Sequence, residues 1–229
     1  MDYKNIEEHK EYIKITKVKN FNLRDIFECG QCFRWNSNDK DTYIGVAFGK
    51  VIEVKLIDED LYIYNSTKEE VEKIWIDYFD LNRDYGLIKK ELSKDPLLLE
   101  AVQFGKGIRL LKQDPFELII SFIISANNRI PMIQRAINNL SKNFGTYIGE
   151  YKGQKYYAFP TSEQLSKASV EEIRACSTGF RDKYIKSTSQ TVNDENIDVL
   201  EYRKLSTDQC LKELLKFNGV GPKVADCIA

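Results

Sequence analysis

Near Asp84 the spacing of apolar residues switches from a period of two to one of three to four, and this switch constrains the fold more than any other feature. Alternation suits strands with one buried face, whereas the longer spacing gathers apolar residues on one side of a helix. Ahead of the switch, residues 12–18, 33–35, 43–48, 51–56 and 61–64 are short runs rich in β-branched and aromatic side chains. Phe48-Gly49-Lys50-Val51 and Asp58-Glu59-Asp60 lie where tight turns are needed. The runs therefore predict an antiparallel meander of about four to six strands.

One face of such a sheet needs a cover. Ser66-Thr67-Lys68-Glu69 has the form of a capping box and opens an amphipathic helix through Phe79, with Val71, Ile74, Trp75 and Tyr78 on one side. The expected fold class is α+β, with an antiparallel β-sheet domain and its covering helix over residues 1–83 and an α-helical body over residues 84–229.

Within that body, helices are predicted over residues 85–92, 96–102, 115–125, 130–144, 162–166, 169–176, 182–192 and 206–217. Ser169-Val170-Glu171-Glu172 and Ser206-Thr207-Asp208-Gln209 match the capping box and mark two of these starts. Residues 115–125 are hydrophobic on nearly every side, which predicts a central buried helix. That helix breaks at Ser125-Ala126-Asn127-Asn128-Arg129, where paired asparagines read first as capping residues. Gly179-Phe180-Arg181 reads by itself as a turn with one aromatic tucked inward.

No apolar run approaches membrane-spanning length, and residues 1–11 are charged and polar, unlike a secretory signal. A cytoplasmic protein is expected. The five cysteines, an odd number, argue for reduced thiols rather than a disulfide framework. Cys29 and Cys32 form a Cys-x-x-Cys pair, but no second close pair and only one histidine, His9, accompany them, so two small side chains in a turn is the competing reading. The net charge of −1 hides an asymmetry: residues 1–100 hold 16 Lys/Arg against 21 Asp/Glu, and residues 101–229 hold 18 against 14. The second half is the better candidate for a polyanion.

Asn218-Gly219-Val220-Gly221-Pro222-Lys223 points to a particular polyanion. Gly219 and Gly221 can take backbone angles closed to other residues, so the preceding helix ends there in a tight hairpin. Pro222 suits a first helical position, which puts Lys223 in the first turn of a new helix with Asp226 and Cys227 on adjacent faces. Helix starts and glycine turns present free N–H groups that bind phosphate irrespective of base sequence. The unit is a helix-hairpin-helix with a lysine at its mouth.

This stretch resembles the hairpin and active-site lysine of the helix-hairpin-helix DNA glycosylases, and specifically of the 8-oxoguanine DNA glycosylases. The segments 29–35, 107–115, 121–128 and 179–184 are similar to that family's other signature segments and stand in its order, so the resemblance covers essentially the whole chain. It implies base-excision repair of duplex DNA containing 8-oxoguanine, with AP lyase activity, by a monomer that requires no cofactor and is nucleoid-associated in a bacterium.

Residue by residue, the resemblance makes Lys223 the amine that attacks the sugar C1′ and forms a Schiff base. Gly30 matches the glycine whose carbonyl accepts the N7 hydrogen of 8-oxoguanine, and Cys227 the cysteine flanking the flipped base. Asn127 matches the asparagine that enters the vacated helix, Phe180 the aromatic wedge and Arg181 an arginine that reads the orphaned cytosine. The residues Asn218, Gly219, Val220 and Gly221 match the hairpin that grips the DNA backbone. The carbonyls of Leu215, Phe217 and Val220 fall where that hairpin can hold a structural monovalent cation.

Elementary chemistry adds one requirement. An attacking amine must be neutral, and lowering a lysine from about 10.4 to about 7.5 takes roughly 4 kcal/mol. A helix N-terminus contributes only about 0.3–1 kcal/mol, so burial or charged neighbours are expected at Lys223.

Two departures qualify the match. Met132 stands where the family has a second cytosine-reading arginine, and a thioether cannot donate two hydrogen bonds to a base edge, so weaker discrimination of the opposite base is expected. The family's catalytic aspartate and C-terminal helix fall beyond Ala229, which leads to the expectation of a truncated or incompletely traced chain that would bind DNA and excise poorly as it stands. Two other classes stay open on the residues alone. One is a non-catalytic helix-hairpin-helix DNA-binding module; the other is a thiol redox protein using Cys29 and Cys32.

Overall fold

The computed structural model describes residues 1–39 and 41–229, with Asn38 described by its backbone alone. These residues divide into two compact bodies: residues 1–45 with 51–112, and residues 113–229 with the hairpin tip 46–50.

The first body contains β1 (Asn5–Glu8), β2 (Tyr12–Thr16), α1 (Leu23–Phe27) and β3 (Trp35–Asp39), then β4 (Thr42–Ala47), β5 (Lys50–Ile57) and β6 (Asp60–Tyr64). These strands form one six-stranded sheet in the order β1-β2-β6-β5-β4-β3. Ile13 pairs with Ile63 and Ile15 with Leu61 between β2 and β6, and Val54 pairs with Ile63 between β5 and β6. All five side chains are almost fully buried, so the period of two sets the register by putting one face inward.

The helix α2, residues 68–78, carries a π-helical turn over Val71–Trp75 and buries Val71, Trp75 and Tyr78. Its cap is shifted by one residue from the expected frame. Thr67, not Ser66, accepts from the backbone N–H of Glu70, and the Glu70 carboxylate accepts from Thr67 N. The Ser66 hydroxyl instead accepts from the Trp75 indole at 3.0 Å and donates to Glu70. Phe27, Trp35, Tyr43, Trp75, Tyr78 and Phe79 form one aromatic cluster, in which the Trp35 indole donates to the Tyr78 hydroxyl at 2.7 Å. Aromatic pairs of this kind add about 0.5–1.5 kcal/mol each beyond the area they bury.

The sequence boundary at residues 83 and 84 marks the change of period, whereas the compact bodies divide after Lys112. Two helices, α3 (Tyr85–Leu92) and α4 (Pro96–Phe104), thus group with the sheet. The physical reason is the anchoring of residues 109–112. Arg109 is fully buried on the carbonyls of Lys19, Phe79, Asp80 and Arg83, and Lys112 pairs with Asp77 at 2.6 Å. Period reports the kind of element and says nothing of the body it joins.

The second body is built around α5 (Pro115–Ser125), whose Ile119, Ile120, Ile123 and Ile124 are at most 1% exposed, as the all-round apolar pattern predicted. Asp114 caps it through Glu117 N, and Pro115 occupies its first turn. Around it stand α6 (Ile130–Phe144), α7 (Ser162–Lys167), α8 (Val170–Ile173, continued by a wide turn over Arg174–Thr178) and α9 (Asp182–Asp194). The chain closes with α10 (Thr207–Leu214) and α11 (Pro222–Ile228). The capping boxes at Ser169 and Ser206 form as expected. A hairpin of β7 (Tyr147–Tyr151) and β8 (Gln154–Tyr157) was not anticipated within the helical half.

Candidate active site and nucleic-acid interface

The segment between α10 and α11 is held from its own body. Asn218 donates from its side-chain amide to Ser187 Oγ at 2.7 Å, and its carbonyl accepts from Thr188 Oγ1 at 3.3 Å. Gly219 has φ +88°, and a Cβ there would meet Tyr184 carbons at 2.8 Å, so conformation and packing both demand glycine. Gly221 does not fit the sequence argument made for it: its φ is −92°, open to any residue, and a Cβ would meet nothing. Its bareness instead leaves the backbone at the start of α11 open to approach.

Val220 is buried and Pro222 opens α11, with Lys223 next to it. Lys223 is exposed, so of the burial or charged neighbours expected there the described residues do not supply burial; at the second position of α11 its stem leaves the helix away from the buried Ala225 face. Cys227, one turn on, is exposed on the same side of the helix.

The carbonyls of Leu215, Phe217 and Val220 lie between α10 and α11, Leu215 as the C-cap of α10 and Val220 next to the Gly221 N-cap of α11. Final helix carbonyls lack intrahelical partners, and the Phe217 carbonyl, which accepts from Val220 N at 3.1 Å, keeps a second lone pair. Neutral oxygens of this kind suit a monovalent cation.

A second group gathers at the α5–α6 junction. The two asparagines there do different things. Asn128 donates to the Ile124 carbonyl at 3.0 Å and accepts from Arg129 N at 2.9 Å, so it is the capping residue. Asn127 is exposed at φ +50°, and its side chain makes no hydrogen bond among the described residues. In the 3₁₀ turn Gly179–Arg181 the expected orientation is reversed. Phe180 is 63% exposed and Arg181 only 6%, because the backbone passes through positive φ at Ser177 and Gly179 and turns the arginine inward.

The Arg181 guanidinium donates to the Ala126 carbonyl through Nε (3.0 Å) and Nη2, to the Asn127 carbonyl through Nη2 (3.0 Å) and to the Thr178 carbonyl through Nη1 (3.4 Å). It also lies 4.4 Å from the Phe180 ring centroid. Burial pulls its pKa down from the usual arginine range. One buried cation therefore joins the two segments, 125–129 and 179–181, that the sequence singled out separately.

Profiles of two families match adjoining segments of the chain: 8-oxoguanine DNA glycosylase, N-terminal domain, over residues 13–119, and HhH-GPD superfamily base excision DNA repair protein over residues 120–224. The 8-oxoguanine glycosylase/lyase of Clostridium acetobutylicum, solved with double-stranded DNA containing cytosine opposite 8-oxoG, superposes with a TM-score of 0.96 at 53% identity. The match covers all of this chain and 78% of that one.

This chain belongs to the 8-oxoguanine DNA glycosylase family.

Its similarity extends to N-glycosylase/DNA lyase OGG1 of Arabidopsis thaliana, 30% identical over 95% of this chain, and to the N-glycosylase/DNA lyase of Saccharomyces cerevisiae, 34% identical over 90% of it. The chain spans 62% and 61% of the length of those relatives.

The remaining residues singled out from the sequence are Gly30, Met132, Cys29 and Cys32. Gly30 lies in the first body at φ +88°. Its neighbour Gln31 donates to the carbonyls of Ile26 (2.8 Å) and Arg109 (2.9 Å) and accepts from Leu111 N (2.9 Å), so the glycine loop is stapled to α1 and to the segment 109–111. Met132 sits in the first turn of α6, 43% exposed. Cys29 is exposed and its thiol donates to the Ile26 carbonyl, while Cys32 is buried. Among the described residues no three Cys, His or carboxylate groups gather as a metal site would need.

Sequence reasoning missed three supporting residues. Gln31 and Arg109 stood inside recognised segments without a role, and Asn139, whose amide donates to the Cys176 carbonyl at 3.3 Å, carried no signal. Their partners are far away in sequence.

Proposed function

We propose that this protein is a base-excision repair glycosylase with AP lyase activity on 8-oxoguanine in duplex DNA. The observation that carries the reading is the exposed amine of Lys223, two residues past an unobstructed glycine at a helix start. The hairpin Asn218–Gly221 holds a DNA phosphate through backbone N–H groups other than that of Val220, which the Phe217 carbonyl takes. A monovalent cation on the carbonyls of Leu215, Phe217 and Val220 would add positive charge beside that phosphate.

Extruding a base costs a few kcal/mol, offset by groups that fill the gap. Asn127, with its unpartnered amide, enters the gap; Phe180 wedges beside it. Cys227 flanks the extruded base, and the Gly30 carbonyl accepts the N7–H that distinguishes 8-oxoguanine from guanine. The Lys223 nitrogen then attacks C1′ as the glycosidic bond breaks and the base departs with the bonding pair. Loss of a proton from nitrogen and ring opening give the Schiff base; loss of a C2′ proton then forms the C2′–C3′ double bond as the 3′-phosphate leaves with the pair of the C3′–O bond. The nucleotide itself covers the amine and excludes water from it.

Met132 makes no paired donor available to an opposite cytosine. We place the protein with DNA in the cytoplasm, acting as a monomer; among the described residues no helix is long and apolar enough to cross a membrane. Single-turnover release of 8-oxoguanine opposite each of the four bases tests the reading. Wild type releases it with little opposite-base preference, Lys223→Gln releases none, and Met132→Arg gains preference for cytosine. Release by Lys223→Gln at the wild-type rate would overturn the mechanism.

A further inference from the structure

A carbonyl that tells 8-oxoguanine from guanine by one hydrogen atom has to be held in place. Guanine offers an acceptor at N7, where the lesion carries N7–H, so the same oxygen attracts one base and repels the other. That contrast fades steeply once the oxygen drifts out of hydrogen-bond range. Gly30 has no side chain to fix it: its φ is +88°, and a Cβ there would meet nothing within 4 Å. Among the described residues its carbonyl accepts no hydrogen bond, so its direction is set by its neighbours.

The neighbour that can set it is Gln31, whose side chain spans two elements. Both amide hydrogens are taken, by the carbonyls of Ile26 in α1 and of Arg109, and the amide oxygen accepts from Leu111 N. The frame on the far side is firm. Arg109 is fully buried on the carbonyls of Lys19, Phe79, Asp80 and Arg83, and Lys112 pairs with Asp77. Such a set of bonds exceeds what an exposed turn needs for its own stability.

We propose that Gln31 is a positioning residue for lesion recognition: its amide fixes the adjacent Gly30 carbonyl where it accepts from N7–H of 8-oxoguanine and repels the N7 lone pair of guanine. The inference rests on the role proposed for Gly30 above. A residue that acts through the carbonyl matters only while there is a base to read, whereas a merely structural residue matters to every substrate.

The test compares wild type with Gln31→Met, which keeps the length of the side chain and removes all three hydrogen bonds. One duplex carries 8-oxoguanine; the other carries an abasic site, which has no base to read. Gln31→Met is expected to lose about 10- to 100-fold in single-turnover release of 8-oxoguanine, the size of effect that small misplacements produce. It cleaves the abasic duplex at the wild-type rate. Gln31→Glu, which keeps the acceptor for Leu111 N and loses both donors, gives the same contrast should Gln31→Met fail to fold.

Equal loss on both duplexes, or full release of 8-oxoguanine by the folded variants beside an active wild type, would overturn the proposal. Wild type that releases no 8-oxoguanine would instead sink the reading of Gly30 itself. Amide hydrogen exchange of residues 29–32 without DNA supplies a readout independent of excision: faster exchange in Gln31→Met supports the staple, and unchanged exchange overturns it.

Discussion

Arg109 in the first body and Arg181 in the second are both buried on backbone carbonyls, and the two differ in their counter-charge. Arg109 is fully buried, stacks 3.9 Å from the Tyr85 ring and pairs with the buried Asp2 carboxylate at 2.8 Å. Arg181 stacks on Phe180 in the same manner but has no carboxylate among the described residues. The first is a closed structural joint, in which Asp2 also accepts from Asn20 and from Tyr85 N. The second keeps its positive charge at the base of an exposed loop. Equal burial thus serves two purposes, and the counter-ion tells them apart.

Breaking the closed joint should have the largest effect. Arg109→Met strands the Asp2 carboxylate and the carbonyls of Lys19, Phe79, Asp80 and Arg83, and removing one partner of a buried pair costs about 3–5 kcal/mol. Urea unfolding is expected to show a loss of that size, and a loss under about 1 kcal/mol would mean that the cage is not closed.

Approaching the joint from the acid side sharpens the comparison through pH. Burial alone would raise the Asp2 pKa, but hydrogen bonds from Arg109, Tyr85 N and Asn20 together hold it below its ordinary value of 3.8. A depressed folded pKa stabilises the fold above the unfolded pKa, and that stability is lost as pH falls through the folded value. Wild type should therefore lose stability below about pH 3.8 through this group, and Asp2→Asn should be less stable at pH 7 while lacking that part of the acid dependence. Parallel acid profiles for the two proteins would refute the pairing.

The open arginine should matter least to the fold. Arg181→Met leaves the carbonyls of the half-buried Ala126 and the exposed Asn127, where water can replace the lost donors, and only the weakly held carbonyl of the buried Thr178 without one, so about 1–2 kcal/mol of stability is expected to go, well short of the Arg109→Met loss. Thermal unfolding of the two variants under one set of conditions orders them; equal losses would erase the distinction between the closed joint and the open arginine.

Much of this was legible beforehand wherever a property depends on residues near in sequence. The periodicity placed α5 over residues 115–125 and α6 over residues 130–144, because a helix gathers its own apolar face. The β7–β8 hairpin escaped because its residues are half-buried or exposed and show no strong alternation, although Lys152-Gly153, both at positive φ, is a turn pair. Lys223 and Asn127 could be singled out as candidates because they stand in recognisable segments, and both are exposed in the structure. It was not legible at Arg181. The inward turn of that side chain is set by Ser177 and Gly179 and satisfied by carbonyls some 55 residues upstream, so no local pattern encodes it. Exposure of Lys223 was missed for a related reason: chemistry states what an amine needs in the reacting complex, and the free protein need not supply it in advance.

The most direct measurement of the central claim is borohydride trapping on duplex DNA containing 8-oxoguanine. Reduction should yield a covalent protein–DNA adduct at Lys223, located by mass spectrometry, that is absent from Lys223→Gln and that Cys29→Ser still forms. Salt-dependent DNA binding with no adduct, or an adduct that survives in Lys223→Gln, would contradict it.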